Sequence, residues 1–454
     1  MDRKPRIVYL TAGAGGMYCG SCIRDNALAT GLQELGWDVV LLPLYTPIRV
    51  DEADRSVDQV FFGGINVYLQ QKVPLFRYLP AFLDRWLDNP RLVRRVASKA
   101  VSLSAPELGA MTLSMVRGED GFQRKEVRRL VSWFKEYGKP DLICLTNLLV
   151  GGAIPALKRE LGVPVYVTLQ GDDLFLDELR EPWKSQVLAE MRRLAQEADG
   201  FLTFSAFYRD RMAELFEVGA EKFALTPLGV EVEAFRPALE KRRARLETLE
   251  TPAEDGEAPE RMIGYLARIS PEKGFDLAVE AFLRLAPDAP GARLRVAGWL
   301  AEKDRAFCEE QEAKIARAGL ADRYERVELP DAASKLDFLA GLDLFCVPTR
   351  FLEPKGLYLL EAMACGLPFV APERGAFPEL VAASGGGLLA KAEDPGDFAA
   401  QLERLLAAPG EAERRGEAGR DWVAAKGDRR AMAEATASVF EQALVKAKLT
   451  GAAR

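Results

Sequence analysis

The sequence predicts an α/β protein of two Rossmann-like domains facing a central cleft. Two observations carry this. The chain opens on a short apolar strand at 7–10, a glycine-rich loop at 11–16, a helix at roughly 22–35 closed by Gly36, and a second strand at 39–42. The same order of elements starts afresh at Met262-Ile-Gly-Tyr-Leu266, after a charged stretch at 238–260 with no strand character. Short apolar runs alternating with helical segments are the pattern of a parallel sheet with crossover helices.

Further strands are expected at 142–145, 165–169 and 201–204 in the first half. In the second half they are expected at 294–297, 324–329 and 344–348, with helices at 275–285 and around 304–317. The first domain then covers 1–237, ending at Phe235-Arg-Pro237. Residues 238–260 read as a surface insertion or linker. The second domain covers 261–425, and a helix at 426–454 is expected to return to the first domain.

Composition removes several function classes. At 454 residues the chain is long enough for two or three domains, and its 48% hydrophobic and 28% charged content is ordinary for a globular protein. A net charge of -7 argues against nucleic-acid binding. Histidine is absent, which excludes His-based triads, His-ligated metals and imidazole acid–base chemistry. Cys19-Gly-Ser-Cys22 has no second pair to complete a zinc site, and it reads as small residues at a loop–helix junction. The apolar run at 7–10 is too short for a secretory signal core, and no stretch approaches the length of a membrane span. A reducing cytoplasm is the expected location.

The segment 72–99 departs from the α/β rhythm. It holds seven Lys/Arg against two Asp, a local charge of +5, with Phe76, Tyr78, Phe82 and Trp86 interleaved. It is open to two readings: amphipathic helices packed on the first domain, or a surface that meets the acceptor or a membrane. Its prolines favour the first.

The most informative stretch is Glu353-Pro-Lys-Gly-Leu-Tyr-Leu-Leu-Glu361, which follows a strand and runs into a helix. Gly356 marks the turn from loop to helix, and the first-turn amides of such a helix suit an anion. Two carboxylates eight positions apart cannot be meant for phosphates, which they would repel. They suit the hydroxyls of a sugar or a ribose. Arg268-Ile-Ser-Pro-Glu-Lys273-Gly274 follows the first strand of the second domain, and its two cations can converge on one anion. Gly13-Ala-Gly-Gly16 allows close backbone approach to a ligand, but Tyr18 stands where a dinucleotide fingerprint needs its third glycine. Gln170-Gly-Asp-Asp173 is a polar cluster at a strand end; one aspartate is expected to cap a turn and the other to touch substrate.

Together these residues resemble the retaining glycosyltransferases of family 4, also called group 1, which have the GT-B fold. The resemblance is strongest from 344 to 380, through Glu353, Glu361, Ala362-Met-Ala-Cys-Gly-Leu-Pro368 and Arg374-Gly-Ala-Phe-Pro-Glu-Leu380. It implies transfer of a hexosyl unit from a nucleoside diphosphate sugar to a hydroxyl of a glycan, lipid-linked sugar or metabolite, with no metal or other cofactor. Arg268, Lys273 and Glu353 would be the catalytic set. Glu353 would bind sugar hydroxyls and Glu361 the ribose. Gly356, Leu357 and Tyr358 would offer amides to the phosphates, approached also by Gly15 and Gly16. The base would rest near Val327. Gln170 stands where members commonly carry a histidine that contacts the donor sugar, with Asp172 beside it. The alternatives are a nucleotide-sugar epimerase on the same fold and a non-catalytic nucleotide-sugar-binding protein.

Overall fold

The structure, a computed structural model, describes residues 4–13, 20–48, 50, 53–57, 70–71, 105–249 and 259–451. Gly15, Gly16, Cys19 and the basic segment 72–99 lie outside the described residues. The chain divides into two units, Met1–Leu228 with Arg429–Arg454, and Gly229–Asp428.

The first unit is built on β1 (Arg6–Thr11), β2 (Asp38–Pro43), β3 (Leu142–Leu145), β4 (Val165–Thr168), β5 (Gly200–Thr203) and β6 (Phe223–Leu225). They form one parallel sheet in the order β2-β1-β3-β4-β5-β6. Both faces are covered, so alternate residues of one strand enter different cores. Val8 and Leu10 pack with Val127, Leu130 and Phe134 on one face, whereas Ile7 and Tyr9 pack with Leu28, Leu32 and Trp37 on the other. The helix Arg429–Gly451 completes this second layer through Met432, Ala433 and Phe440.

The second unit carries β7 (Arg261–Leu266), β8 (Ala292–Ala297), β9 (Tyr324–Val327), β10 (Leu344–Cys346), β11 (Phe369–Pro372) and β12 (Gly387–Ala390). Its sheet is also parallel, in the order β12-β11-β10-β7-β8-β9. The chain steps from β7 to β8 and β9 in one direction, returns to β10, and then steps the other way. The loops after β7 and β10 therefore diverge at the reversal point, where open parallel sheets bind ligands at the carboxyl ends of their strands.

The stretch expected as a linker at 238–260 is helical from Arg236 through Leu249. Its charge has partners far along the chain. Arg242 is 6% exposed and donates to the Leu342 and Asp343 carbonyls, and burial lowers its pKa to about 10. Arg245 donates to the Leu342 carbonyl and pairs with Asp343 at 3.0 Å. The helix belongs to the second unit together with Phe235.

A fully buried ion pair lies at the carboxyl ends of β1, β3 and β4. Arg24 Nη1 is 3.2 Å from Asp25 Oδ1 and 2.6 Å from the Tyr9 hydroxyl. Asp25 also accepts from Thr11, Thr146 and Gln170. Arg24 Nε and Nη2 have no hydrogen-bond partner among the described residues, and the guanidinium sits 5.1 Å from the Phe204 ring. Removing one member of a buried pair strands the other in a low-dielectric interior. Asp25→Ala is therefore expected to cost about 3–5 kcal/mol. Breaking the exposed Lys135–Glu160 pair, as in Lys135→Ala, should leave the unfolding midpoint almost unchanged. Urea-unfolding midpoints of the two variants, at equal m-value, check this contrast.

Candidate functional site

The loop after β7 carries Arg268 and Lys273. The buried Tyr265 hydroxyl lies 3.0 Å from the Arg268 carbonyl and 3.2 Å from the Lys273 carbonyl, gathering both ends of the loop over the strand. At Gly274 the backbone turns into the helix Phe275–Leu285 with φ of 70°, and a Cβ there would come 1.9 Å from the Pro348 carbonyl oxygen. Only glycine lets this loop press so closely against the segment after β10.

Arg350 fastens the two loops together. Its guanidinium forms a bidentate pair with Asp276, both contacts at 2.8 Å, and donates to the Pro271 carbonyl. Its backbone amide donates to the Glu272 carbonyl at 2.9 Å. Arg374 extends the tie to the loop after β11 by donating to the Arg350 carbonyl at 2.6 Å, and the Ala376 amide donates to the Glu353 carbonyl.

These ties bring Lys273 Nζ to 2.5 Å from Glu353 Oε2, with the two side chains 16% and 8% exposed. The ammonium also lies 5.1 Å from the Phe351 ring and 5.4 Å from the Tyr358 ring, within cation–π range. Burial, reinforced by the Glu353 charge, pushes the Tyr358 phenol well above its ordinary pKa. Arg268 is half-buried, and among the described residues its guanidinium makes no ion pair or side-chain hydrogen bond. Burial raises the Glu272 carboxyl, but its Ser270 hydrogen bond and charges that include Arg268 hold it below its ordinary pKa.

Gly356, with φ of 69° and a Phe377 ring carbon 2.7 Å from where its Cβ would stand, starts the helix Leu357–Ala364. No side chain caps this helix. The Leu357 and Tyr358 amides have no partner within it, and the positive end of its dipole adds to the cations. Glu361, further along the same helix, is 3.1 Å from Lys335 Nζ. Val327 ends β9 and lines a groove of about 550 Å³ with Leu329, Arg295, Ser334 and Phe338. The arrangement can hold a dianion between Arg268, Lys273 and the helix start, flanked by carboxylates that accept from hydroxyls.

Gln170 and Asp172 lie in the first unit. The Gln170 amide nitrogen donates to Asp25 and to the carbonyl and hydroxyl of Thr146. Asp172 is 1% exposed and accepts from the Leu148 amide at 2.7 Å and the Gln170 amide at 3.2 Å. Asp173 is engaged by the Tyr208 hydroxyl and by Arg211. Among the described residues no group of acidic residues or cysteines is arranged to hold a metal ion, and no helix is long and apolar enough to cross a membrane. Sequence reasoning missed Tyr265, Lys335 and Arg350. Lys335 and Arg350 act through partners 26 and 74 positions away, and no local pattern signals such pairs.

Comparison with known proteins identifies the chain. Residues 250–422 match the family described as glycosyl transferases group 1, and residues 24–229 match the glycosyl transferase 4-like domain. A D-inositol 3-phosphate glycosyltransferase of Stackebrandtia nassauensis is 31% identical over 76% of this chain and 79% of its own length. A glycogen synthase of Mycobacterium tuberculosis is 28% identical over 73% of this chain and 74% of its own length. Among solved structures, sucrose-phosphate synthase from Thermosynechococcus elongatus has a TM-score of 0.69 at 19% identity, covering 98% of this chain and 100% of that one. HepE of Anabaena in complex with UDP has a TM-score of 0.66 at 16% identity, covering 96% and 100%. The chain belongs to the group 1 glycosyltransferases and has the two-domain α/β fold of the GT-B class.

Burial raises the Asp172 carboxyl to a pKa of about 7, only partly offset by its amide donors. The folded protein then holds a proton on Asp172 that the unfolded chain releases near pH 4. Stability is full below about pH 4 and falls as pH rises to about 7, by on the order of 4 kcal/mol from this group. Asp172→Asn, which cannot titrate, should flatten that part of the stability–pH curve measured by urea unfolding.

Proposed function

We propose that this glycosyltransferase moves a hexosyl unit from a nucleoside diphosphate sugar to an acceptor hydroxyl, with retained anomeric configuration and without a metal. The observation that carries the reading is the Lys273–Glu353 pair at the start of the helix Leu357–Ala364, with Arg268 on the same loop as Lys273. As the glycosidic bond breaks, charge builds on the leaving diphosphate. Arg268, Lys273 and the helix amides are preorganised to meet it, which is the role a metal fills elsewhere. Glu353 accepts hydrogen bonds from sugar hydroxyls, and Glu361 accepts from the ribose.

The leaving phosphate takes the acceptor's proton, which removes the need for a protein base. Retention rests on family membership. The nucleoside diphosphate donor is supported by HepE, whose solved complexes hold UDP and UDP-glucose. The acceptor is a hydroxyl compound, whether glycan, lipid-linked sugar or metabolite. A cytoplasmic location belongs to the same proposal. It is supported by the buried free thiols Cys144, Cys308, Cys346 and Cys365, which suit a reducing compartment.

A thermal-shift screen over nucleoside diphosphate sugars should single out the donor, since a ligand at a hundred times its Kd stabilises the folded state by about 2.7 kcal/mol. With that donor, Glu353→Gln and Lys273→Ala should each lower turnover at least about tenfold, a loss of about 1.4 kcal/mol of transition-state stabilisation. Near-native turnover in both variants would remove the site assignment.

A further inference from the structure

Each carboxylate of the Glu353–Glu361 pair has its own lysine. Lys273 comes from the loop after β7, and Lys335 from the first turns of the helix Ala332–Ala340. The proposed chemistry gives Lys335 no role. Its ammonium is 3.1 Å from Glu361 Oε1, and the two side chains are 15% and 10% exposed. The Phe235 ring, 5.8 Å away, lies within cation–π range of it. A capping box between Asp331 and Ser334, the residue before Lys335, fixes the start of the helix. The cation is therefore delivered from a rigid element to a carboxylate on another rigid element.

We propose that Lys335 is a positioning residue that fixes the Glu361 carboxylate as the acceptor for a ribose hydroxyl, and so makes the site selective for ribonucleotides over deoxyribonucleotides. This rests on the reading of Glu361 as the ribose contact. Lys335 occupies Oε1 and leaves Oε2 for the ligand. It also neutralises a carboxylate that would otherwise repel the diphosphate of the same ligand. A buried carboxylate deprived of its cation turns toward any other donor within reach, because leaving it unpaired is costly. Its oxygen is then no longer presented to ribose. A site built to hydrogen-bond a hydroxyl discriminates strongly against a ligand that lacks it.

The test uses the full chain and isothermal titration. The probes are UDP, GDP and ADP, then the 2′-deoxy and 3′-deoxy forms of whichever binds wild type best, and inorganic pyrophosphate. Wild type is expected to prefer the ribonucleotide to one of its deoxy forms by at least about tenfold, as a hydrogen bond to a charged group allows. Lys335→Met should bring that ratio below about threefold by weakening the ribonucleotide alone. Lys335→Arg should keep the preference, and pyrophosphate should bind all three proteins alike. An unchanged ratio in Lys335→Met overturns the inference while leaving the proposed function standing. Loss of pyrophosphate binding together with nucleotide binding also overturns it, since Lys335 would then serve the fold. If wild type binds no nucleoside diphosphate, the reading of the site fails and the inference goes with it.

Discussion

The second unit is organised around the contact between Lys273 and Glu353. The two residues are separated by 80 positions and arrive on loops from neighbouring strands, yet their charged atoms meet at 2.5 Å in a nearly buried position. Such a pair is costly to desolvate and is kept only where the geometry is good and each group has further partners. The surroundings supply the geometry, and further partners for the ammonium. The absence of a side chain at Gly274 lets one loop lie against Pro348, and the Arg350 fork holds the other to Asp276. The Phe351 and Tyr358 rings give the ammonium two π faces. Much of what is unusual between 348 and 376 follows from the need to hold these two side chains together.

The first unit places its charge by a different rule. Arg24 and Asp25 are neighbours in sequence and are buried completely at the carboxyl ends of the strands. Their network passes through Tyr9, Thr11, Thr146, Thr168 and Gln170, so it couples β1, β3 and β4. Apart from Arg24, the donors to Asp25 come from the end of a strand or the loop after it. Half-satisfied buried networks are costly, and among the described residues Arg24 Nε and Nη2 have no partner. The second unit instead keeps Arg268, which makes no ion pair among the described residues, half-buried.

The sheets were legible in the sequence because parallel strands are buried on both faces and read as short apolar runs. The expected strand at 142–145 and the helix at 275–285 match the structure residue for residue. Others drifted at their ends: the strand expected at 324–329 stops at Val327, because Leu329-Pro330 turns into the next helix. β6, β11 and β12 were not separated out, being only three or four residues long or embedded in the motif. The helix Arg236–Leu249 was read as linker because its charge hid its pairing with Asp343, about a hundred residues away. Arg268, Lys273, Glu353 and Glu361 stood out because their loops carry glycine and charge at regular positions. Lys335 and Arg350 did not, because their meaning lies in partners that only the folded chain brings near.

The lysine partners answer the objection that acidic residues beside a phosphate site ought to weaken it. Neutralised by Lys273 and Lys335, the two glutamates no longer contribute net negative charge, but their oxygens keep their capacity to accept hydrogen bonds. Beside them stand Arg268, which makes no ion pair among the described residues, and the positive end of the helix Leu357–Ala364. That residual charge suits a dianionic bridge, and the paired carboxylates on either side suit hydroxyl-bearing groups. A ligand with a sugar at one end, a ribose at the other and a diphosphate between them meets all three requirements. A bare phosphate meets one, and a free sugar meets only the acceptors. On the proposed reading, selectivity follows from where the charges are cancelled as much as from where they are left exposed.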